Sequence, residues 1–320
     1  MTEVPRLGPN SLLIIIVNWN SWSETANSVR LLEDTRKPFF QVLVVDNGTR
    51  VSVGDPDISY CAGVARIIRL SGNLGFAHAA NLGLRLATDE GYEAALLLNP
   101  DAAITGDAIE TLYLALMGSP SLAVVGPTLC RDREGGLKTA GGRVSILTLS
   151  TRHLPPSLEV DSHLNLDVDF VEGSCMMLKL SAVNQVGCFD ERFFVFWEEV
   201  DLCLRLRRCG FTVGCLPHAT ALHPFKSYAT PLRSYLYLRS TLLFAKRHYP
   251  KELFLVLPAS LAVGTLRGVI SLARRAPCEA AWVMITLGTE ALGGLQIPTQ
   301  RILETLIARA KSSIEPQGRT

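Results

Sequence analysis

The feature that most constrains the fold of this chain is a series of short apolar segments separated by longer stretches of helical composition. The apolar segments consist mainly of β-branched residues and leucine, which is typical of buried strands. They are residues 12–17, 42–45, 66–70, 94–98 and 122–126. Residues 23–35, 76–88 and 105–117 are predicted helices, the last with Thr105 as its N-cap. This alternation predicts an α/β fold with a mostly parallel central sheet flanked by helices, in which ligands bind beyond the carboxyl ends of the strands.

Asparagine, aspartate or glycine follows each of the first four predicted strands. These residues are Asn18 and Asn20 after the first strand, Asp46 and Gly48 after the second, Gly72, Asn73 and Gly75 after the third, and Asn99 and Asp101 after the fourth. Any one of these groups is explained by ordinary turn formation. Four such groups at the same edge of a sheet indicate a ligand site.

The residue types at these strand ends suit a nucleoside diphosphate. Asp46 can accept a hydrogen bond from a base N–H or a ribose hydroxyl, and Gly72 and Gly75 allow a ligand to approach the backbone closely. Asp101, which follows Pro100, offers a hard oxygen ligand of the kind that holds Mg²⁺ or Mn²⁺ on a diphosphate. The chain contains neither a P-loop motif nor a Gly-x-Gly-x-x-Gly turn, which disfavours a P-loop NTPase and a dinucleotide dehydrogenase.

Composition excludes several other classes of protein. The 31 lysines and arginines balance 30 aspartates and glutamates, so no basic field indicates a nucleic-acid partner. The eight cysteines form no Cys-x-x-Cys pair and no cluster with zinc spacing, which predicts buried free thiols in a reducing cytosol. The apolar run at 12–17 is too short for the core of a signal peptide, so we do not expect export.

The stretch 191–205, ERFFVFWEEVDLCLR, places three carboxylates directly after an aromatic run. One interpretation is structural, because acidic residues favour the first turn of a helix and Gly210 stands where a helix would end. On this interpretation Asp201 pairs with Arg205 one turn later. The other interpretation is catalytic, since a positioned carboxylate can act as a general base. The aromatic residues, predicted to form core and the wall of an acceptor site, are Phe193, Phe194, Phe196 and Trp197.

Six blocks of the sequence carry a resemblance to a known family. They are IIIVNWNS, VVDNGT, GNLGFAHAANLGL, LLLNPDA, VEGSCMMLKLSAVNQVGCFDERFFVFWEEVDLCLRLRRCG and HPFKS, in that order. Together they resemble the family 2 glycosyltransferases, and among these the bacterial rhamnosyltransferase branch. The resemblance implies a GT-A fold and an inverting transfer of a sugar from a nucleoside diphosphate to an acceptor hydroxyl. It also implies Mg²⁺ or Mn²⁺ as cofactor, dTDP-rhamnose as favoured donor with a UDP-sugar as the alternative, and a glycan or lipid-linked acceptor.

The resemblance also assigns roles at the donor site by position. Asp46 would contact the base or ribose, while Asn73 and Asn81 would line the donor pocket. Asp101 would hold the metal, and Asn99 occupies the first position of the family's Asp-x-Asp motif, which leaves one fewer charge on the cation. The residues expected to bind the donor are Asn18, Asn20, Asp46, Asn73, Gly75, Asn81, Asn99, Asp101 and Gly173.

At the reaction centre, the resemblance implies catalysis by the pair Glu198 and Glu199. The general base would be its second member, Glu199, where many relatives carry aspartate. Gly173 and Ser174 would lie where the acceptor and the donor sugar meet.

His223 resembles a late family histidine that completes the metal site or touches the diphosphate. Relatives usually carry glycine after this histidine, whereas Pro224 follows it here. A structural role for His223 is the alternative. Lys226 and Ser227 could reach phosphate oxygens, or lie in a solvated loop.

The predicted organisation is a GT-A catalytic domain at 1–227 followed by a helical extension at 228–320. Within the catalytic domain, about 11–130 would form the nucleotide-sugar half and 131–227 the acceptor half. In the extension, 231–248, 251–274 and 278–293 are predicted helices. Their uncharged runs are shorter than the roughly 20 residues of a spanning helix. They either pack on the catalytic domain or lie on a membrane surface. We expect a cytoplasmic protein in both cases, and in the second case one bound peripherally to the inner face of the cell membrane.

Two other functions stay open from the sequence. A sugar nucleotidyltransferase also combines an α/β sheet with metal-binding carboxylates, although the chain lacks a glycine-rich, basic NTP loop near its N-terminus. An inactive transferase-like scaffold is favoured by Asn99 and by the HPFKS block. The joint presence of Asp46, Asp101 and Glu199 argues against it.

Overall fold

The computed structural model describes residues 7–8, 10–35, 38–49, 54–131, 138–145, 149–156, 168–224, 231–250 and 298. The strands are β1 (Leu12–Asn18), β2 (Phe40–Asp46), β3 (Arg66–Arg69), β4 (Ala94–Leu98), β5 (Ala103–Ile104), β6 (Leu122–Cys130), β7 (Lys138–Thr139), β8 (Gly142–Ser145), β9 (Ser150–His153), β10 (Cys175–Lys179) and β11 (Thr212–Leu222). The α-helices are α1 (Trp22–Asp34), α2 (Pro56–Val64), α3 (Phe76–Asp89), α4 (Gly106–Gly118), α5 (Leu180–Val186), α6 (Glu198–Arg208) and α7 (Pro231–His248), and a short 3₁₀ helix spans Glu191–Phe193.

The predicted strands and helices of the first 126 residues are confirmed, with shifts of a few residues at their ends. Thr105 caps α4 as predicted, since its hydroxyl accepts a hydrogen bond from the backbone N–H of Ala108 at 3.3 Å. The helix predicted after the aromatic run forms as α6, and the helix predicted at 231–248 forms as α7. The prediction omits α2, α5, the 3₁₀ helix, β5 and the strands β7 to β11.

One mixed sheet organises the described residues. Its strand order is β3-β2-β1-β4-β10-β6-β11-β5, with β7 paired to β6. Strands β1 to β4 are mutually parallel, and β6 is parallel to β11. Because β10 is antiparallel to both β4 and β6, strands β6 and β11 run in the same direction as β1 to β4. All of these strands therefore end at one edge of the sheet, here called the carboxyl edge, and β10 begins there.

The core lies on both faces of this sheet. All residues of β1 and β4 are buried, because helices cover the strands. Helix α3 approaches β1 so closely that a Cβ atom on Gly83 would lie 2.7 Å from Cγ2 of Ile15. This close packing of helix on strand fixes the position of the carboxyl edge relative to α3.

Seven cysteines lie within the described residues, and all of them are free. Four are buried: Cys61, Cys175, Cys203 and Cys215. For these four the prediction of buried free thiols is confirmed. Burial raises the pKa of the Cys175 thiol to about 12, which keeps it protonated and unreactive.

The chain divides into two compact units. The first contains residues 1–143, 152–189 and 199–225, and the second contains 144–151, 190–198 and 226–320. In the second unit α7 packs against the aromatic run, with the rings of Trp197 and Phe244 4.6 Å apart. The Ser240 hydroxyl donates hydrogen bonds to the carbonyls of Phe193 and Val195, so polar contacts support this packing.

None of the helices in the described part of the chain has the length and apolar character required to cross a membrane. The helices predicted at 251–274 and 278–293 lie outside the described residues, as do Lys226 and Ser227. The division at residue 227 stays a prediction.

Candidate active site

The polar residues predicted from the strand ends converge at the carboxyl edge, within the first unit. Asn18 and Asp46 are register partners at the ends of β1 and β2. Asn99 follows β4, and its N–H donates to the carbonyl of Ser174, which precedes β10, at 2.9 Å. His223 follows β11, and its N–H donates to the carbonyl of Cys130 at the end of β6, also at 2.9 Å. The topology therefore brings residues that are more than 200 positions apart in the sequence, such as Asn18 and His223, to the same edge of the sheet.

Asp46 is held in a preformed position by its neighbours. Its Oδ1 accepts hydrogen bonds from Nδ2 of Asn18 at 3.1 Å and from the N–H of Thr49 at 3.3 Å. Arg69 lies nearby, with its Nε 3.9 Å from Oδ2 of Asp46. Asn20 has a left-handed backbone, with φ of 56°, and its N–H donates to the Thr49 hydroxyl at 2.9 Å.

Asn18 acts within the protein as a support. The side chain is completely buried, and its Oδ1 accepts hydrogen bonds from Ser21 N–H at 3.2 Å and from the Thr25 hydroxyl at 2.9 Å. Since both ends of the amide are engaged, Asn18 fixes the orientation of Asp46.

The turns after β2 and β3 are tied together by side-chain amides. Nδ2 of Asn47 donates to Oδ1 of Asn73 at 3.0 Å and to the carbonyl of Gly75 at 3.1 Å. Gly48 has φ of 78°, and a Cβ atom added there would lie 2.3 Å from the carbonyl carbon of Gly72. Only glycine permits this approach, which fixes the two turns against each other beside Asp46.

Asn81 is engaged with the backbone in this structure. Its Nδ2 donates to the carbonyl of Phe189 at 2.9 Å, and its Oδ1 accepts from the N–H of the same residue at 3.0 Å. The side chain is buried in α3. It therefore holds Phe189 against the helix, and its expected contact with the donor stays a prediction.

The residues expected at the diphosphate are close to one another. Oδ1 of Asp101 lies 3.3 Å from Nε2 of His223, and Nδ2 of Asn99 lies 3.4 Å from the same nitrogen. The side chains of Asp101 and His223 are 23% and 17% exposed, so a ligand can reach both.

Two charged residues that the sequence analysis did not single out join this group. A guanidinium nitrogen of Arg131 lies 2.9 Å from Nδ1 of His223, and another donates to the carboxylate of Glu172. The Glu172 carboxylate also accepts from the Thr139 hydroxyl at 2.5 Å, and Nδ1 of His153 lies 3.1 Å from it. No local signal marks Arg131, because the predicted strand ends at residue 126 whereas β6 continues to Cys130.

Glu172 is an ionised group inside the protein. Burial alone would raise its pKa, but the hydrogen bond from His153 and the positive charges of His153 and Arg131 outweigh this effect and lower the pKa to about 2. The side chain is only 9% exposed. A buried anion of this kind affects any second carboxylate nearby.

Glu199 is that second carboxylate. Burial, with a smaller contribution from the negative charge of Glu172, raises the pKa of Glu199 to about 7. Its Oε2 is buried and accepts no hydrogen bond from the described residues. The hydroxyl of Ser174 is likewise buried without a hydrogen-bond partner among them. Both atoms therefore retain an unused capacity to form a hydrogen bond.

Gly173 leaves space beside Glu199. A Cβ atom at this position would lie 3.5 Å from Cβ of Glu199 and 3.8 Å from its carboxyl carbon. The glycine thus lines the side of the candidate base. Glu198, the other member of the pair, is buried at the start of α6.

The predicted pairing of Asp201 with Arg205 in α6 is confirmed, and the catalytic interpretation of Glu199 stays a prediction. Nε of Arg205 donates to the fully buried Asp201 at 2.8 Å, as predicted. Arg205 also donates to the carbonyls of Val186, Gly187 and Cys188. These bonds fix the helix that carries Glu199. Asp201 is therefore a structural residue.

The donor atoms at the carboxyl edge suit a hard divalent cation. Asp101 provides a partly exposed carboxylate, and the Asn99 amide beside it can offer an oxygen. Within the described residues there is no cluster of three or more His, Cys, Asp or Glu side chains able to enclose a metal. A site with one carboxylate matches Mg²⁺ or Mn²⁺, which take most of their remaining ligands from substrate phosphates and water.

Comparison with known sequences places the chain in context. Residues 13–187 match the model of the family described as glycosyl transferase family 2. A low-salt glycan biosynthesis hexosyltransferase of Haloferax volcanii is 30% identical over 219 residues, which are 67% of this chain and 67% of that protein. An N-acetylglucosaminyl-diphospho-decaprenol L-rhamnosyltransferase of Mycobacterium tuberculosis is 29% identical over 220 residues, which are 61% of this chain and 69% of that protein.

Solved structures share the fold at low sequence identity. GalNAc-T7, crystallised with UDP, GalNAc and Mn²⁺, aligns with a TM-score of 0.62 and 12% identity, covering 90% of this chain and 58% of that one. A mannosyltransferase of Pyrobaculum calidifontis in complex with GDP-Man and Mn²⁺ aligns with a TM-score of 0.54 and 16% identity, covering 96% of this chain and 88% of that one. The predicted GT-A fold is confirmed.

Proposed function

This chain belongs to glycosyl transferase family 2 and is a glycosyltransferase, and on that premise we propose that it transfers a sugar with inversion from a nucleoside-diphosphate sugar to a hydroxyl group. The acceptor would be a glycan or a lipid-linked saccharide. The family assignment favours this reaction over nucleotidyl transfer. It also favours an active enzyme over the inactive scaffold.

The observation that carries the proposal is the state of Glu199. Direct displacement at an anomeric carbon requires a base that removes the proton of the attacking hydroxyl. A carboxylate whose pKa is raised to about 7 by burial accepts a proton more readily than an ordinary one, and still ionises near neutral pH. Its Oε2 accepts no hydrogen bond from the described residues, so this oxygen retains the capacity to accept one from a substrate hydroxyl.

The proposed step is a single displacement. The acceptor oxygen attacks the anomeric carbon of the donor sugar, and its proton moves to Glu199. The bond between the anomeric carbon and the diphosphate oxygen breaks at the same time, and the nucleoside diphosphate leaves. Ser174, whose hydroxyl is buried beside Gly173, would orient the reacting sugars through a hydrogen bond.

The donor would lie along the carboxyl edge of the sheet. Asp46, held by Asn18 and Thr49, would accept hydrogen bonds from the base or ribose. Asn73 and Gly75 would form the adjoining wall of the pocket. Asp101, with Asn99 beside it, would hold Mg²⁺ or Mn²⁺. When bound, the cation would neutralise negative charge on the departing diphosphate.

The relatives supply the basis for a substrate class. One curated relative is named an N-acetylglucosaminyl-diphospho-decaprenol L-rhamnosyltransferase, and another, from Shigella flexneri, is named a dTDP-rhamnosyl transferase. We therefore favour dTDP-rhamnose as donor, with a UDP-sugar as the alternative, and a lipid-linked glycan as acceptor. Such an acceptor would bring the enzyme to the inner face of the cell membrane as a peripheral protein.

A donor screen by thermal shift tests the proposal. The compounds are dTDP-rhamnose, UDP-glucose, UDP-galactose, GDP-mannose and the free nucleoside diphosphates, each with and without Mn²⁺. A ligand that binds only the native state raises the melting temperature by mass action. We expect one donor to stabilise the protein more with Mn²⁺ than without it, and Asp101→Ala to remove that difference. Absence of any shift would contradict the donor site.

A further inference from the structure

The contact between Arg131 and His223 determines which ring nitrogen of the histidine carries hydrogen. A guanidinium nitrogen of Arg131 lies 2.9 Å from Nδ1 of His223. Arginine stays protonated in proteins and can only donate hydrogen bonds. Nδ1 must therefore be the acceptor, and the neutral ring carries its proton on Nε2.

This Nε2–H faces the residues expected at the diphosphate. Nε2 lies 3.3 Å from Oδ1 of Asp101, which can accept its hydrogen. Nδ2 of Asn99 lies 3.4 Å from the same nitrogen and is also a donor, so a proton on Nε2 requires the Asn99 amide to be turned over, with its oxygen toward the ring. A protonated Nε2 has no lone pair to offer a metal ion. The other ring nitrogen, Nδ1, already accepts a hydrogen bond from the guanidinium of Arg131. Neither nitrogen of His223 is therefore free to bind Mg²⁺ or Mn²⁺ in this arrangement.

The arginine is itself fixed by buried contacts. Its second bond goes to the carboxylate of Glu172, and the side chains of this pair are only 10% and 9% exposed. Glu172 is further held by the hydroxyl of Thr139 at 2.5 Å and by Nδ1 of His153 at 3.1 Å. Moving Arg131 away from His223 would leave buried polar groups unsatisfied.

The register of the sheet places the two residues side by side. β6 and β11 are parallel, with Cys130 opposite Leu222, so Arg131 and His223 are the next residues along. The N–H of His223 donates to the carbonyl of Cys130 at 2.9 Å. The contact therefore follows from strand pairing at the centre of the site.

We propose that His223 donates a hydrogen bond from Nε2–H to the diphosphate of the donor, and that Arg131, anchored by Glu172, is the positioning residue that keeps it in this role. This inference rests on the proposed function. The family resemblance implies either metal binding or contact with the diphosphate for His223, and the contact with Arg131 selects the second. Asp101 remains the cation-binding carboxylate.

Nitrogen-15 NMR of the imidazole groups tests the first part directly. The His223 resonances are assigned by comparison with His223→Gln. We expect a proton on Nε2 in the free protein, retained when dTDP and Mg²⁺ are both added. A proton on Nδ1, or loss of the Nε2 proton on adding Mg²⁺ with dTDP, would overturn the inference.

Calorimetric titration with dTDP, with and without Mn²⁺, tests the role at the diphosphate. Loss of a hydrogen bond to a charged group corresponds to about 10- to 100-fold in affinity. We expect His223→Ala to weaken dTDP binding by such a factor equally in both conditions, whereas Asp101→Ala abolishes the gain from Mn²⁺. A loss in His223→Ala that occurs only with Mn²⁺ would identify a metal ligand and overturn the inference.

Variants of the arginine separate positioning from general stability. Arg131→Met should weaken dTDP binding in both conditions, and Arg131→Lys, which keeps a cationic donor, should recover part of it. Arg66→Met is the matched control, since Arg66 pairs with Glu90 at the opposite end of β3 and should bind dTDP normally. If Arg131→Met and Arg66→Met bind dTDP with the same affinity, the positioning role of Arg131 is overturned. If wild-type protein binds no nucleoside diphosphate, the proposed function fails, while NMR of the free protein still decides the ring state.

Discussion

Asn18 and Asp46 stand opposite each other at the ends of two neighbouring parallel strands, and Nδ2 of Asn18 donates to Oδ1 of Asp46 across 3.1 Å. Both side chains are buried, at 0% and 2% exposure. A carboxylate at this position is oriented before any ligand arrives, because its neighbour cannot turn away. Binding therefore requires little reorganisation at this end of the site.

Replacing Asn18 with alanine should impair both stability and donor binding. The change removes a donor to Asp46 and leaves Ser21 N–H and the Thr25 hydroxyl without their acceptor. We expect a loss of about 1–3 kcal/mol in the free energy of unfolding by urea, with weaker binding of dTDP. The control is Asn10→Ala, which removes an exposed amide whose Nδ2 donates to the Glu90 carbonyl at 3.4 Å, and it should be nearly neutral. Similar losses in both variants would contradict the supporting role of Asn18.

Glu199→Gln should separate binding from catalysis. The amide keeps the size of the side chain but cannot accept the hydroxyl proton, so transfer should fall by about 10²- to 10⁴-fold. The thermal shift caused by the donor should persist. Glu110→Gln on α4 is the control for loss of a carboxylate elsewhere. Near-normal turnover by Glu199→Gln would remove this residue from the role of base.

The pH dependence of transfer should reflect the raised pKa of Glu199. Below about pH 7 the carboxyl is protonated and cannot accept a proton, so the rate should rise with pH and level off above this value. Because the negative charge of Glu172 contributes to the shift, Glu172→Gln should lower the pKa and move the acid limb to lower pH. Initial rates of transfer between about pH 5.5 and 8.5 measure the pH profile of the wild-type enzyme and of Glu172→Gln. A limb that does not move in Glu172→Gln would contradict the coupling between the two carboxyl groups.

Gly48→Ala should disrupt the close backbone contact between the turns after β2 and β3, where Gly48 approaches Gly72. The positive φ of 78° costs a non-glycine residue about 1–2 kcal/mol, and crowding against Gly72 should add about 1–3 kcal/mol. Gly54→Ala is a matched control, since its φ of 89° imposes similar strain but no atom lies within 4 Å of the added Cβ. Urea unfolding compares the two variants. Equal destabilisation would mean that the close approach at Gly48 has no energetic weight.

Local sequence signals predicted much of the fold. Apolar runs, the Thr105 cap and the i to i+4 pair of Asp201 and Arg205 depend on neighbours along the chain, and all three are confirmed. The ends of the first four strands could be grouped because parallel strands end together. These signals require no knowledge of distant pairing.

The remaining features depend on contacts between distant segments. β10 inserts antiparallel between β4 and β6, and only this pairing brings Glu172 to the carboxyl edge. The pairing of β6 with β11 likewise brings Arg131 beside His223. Each charged residue looks like an ordinary surface residue when read along the sequence. Asn81 was predicted to line the donor pocket, but in the structure its amide bonds to the backbone of Phe189. These bonds span 108 positions and could not be inferred from the helix that carries Asn81.

Asn99 follows β4 and His223 follows β11, and β10 and β6 lie between these two strands in the sheet. Neighbouring strands lie about 4.8 Å apart, so about three such intervals separate β4 from β11. The side chains of Asn99 and His223 nevertheless approach to 3.4 Å, so the segments that follow the two strands close this gap beyond the ends of β10 and β6. A change in the register of either intervening strand would therefore alter the distance between the two polar groups.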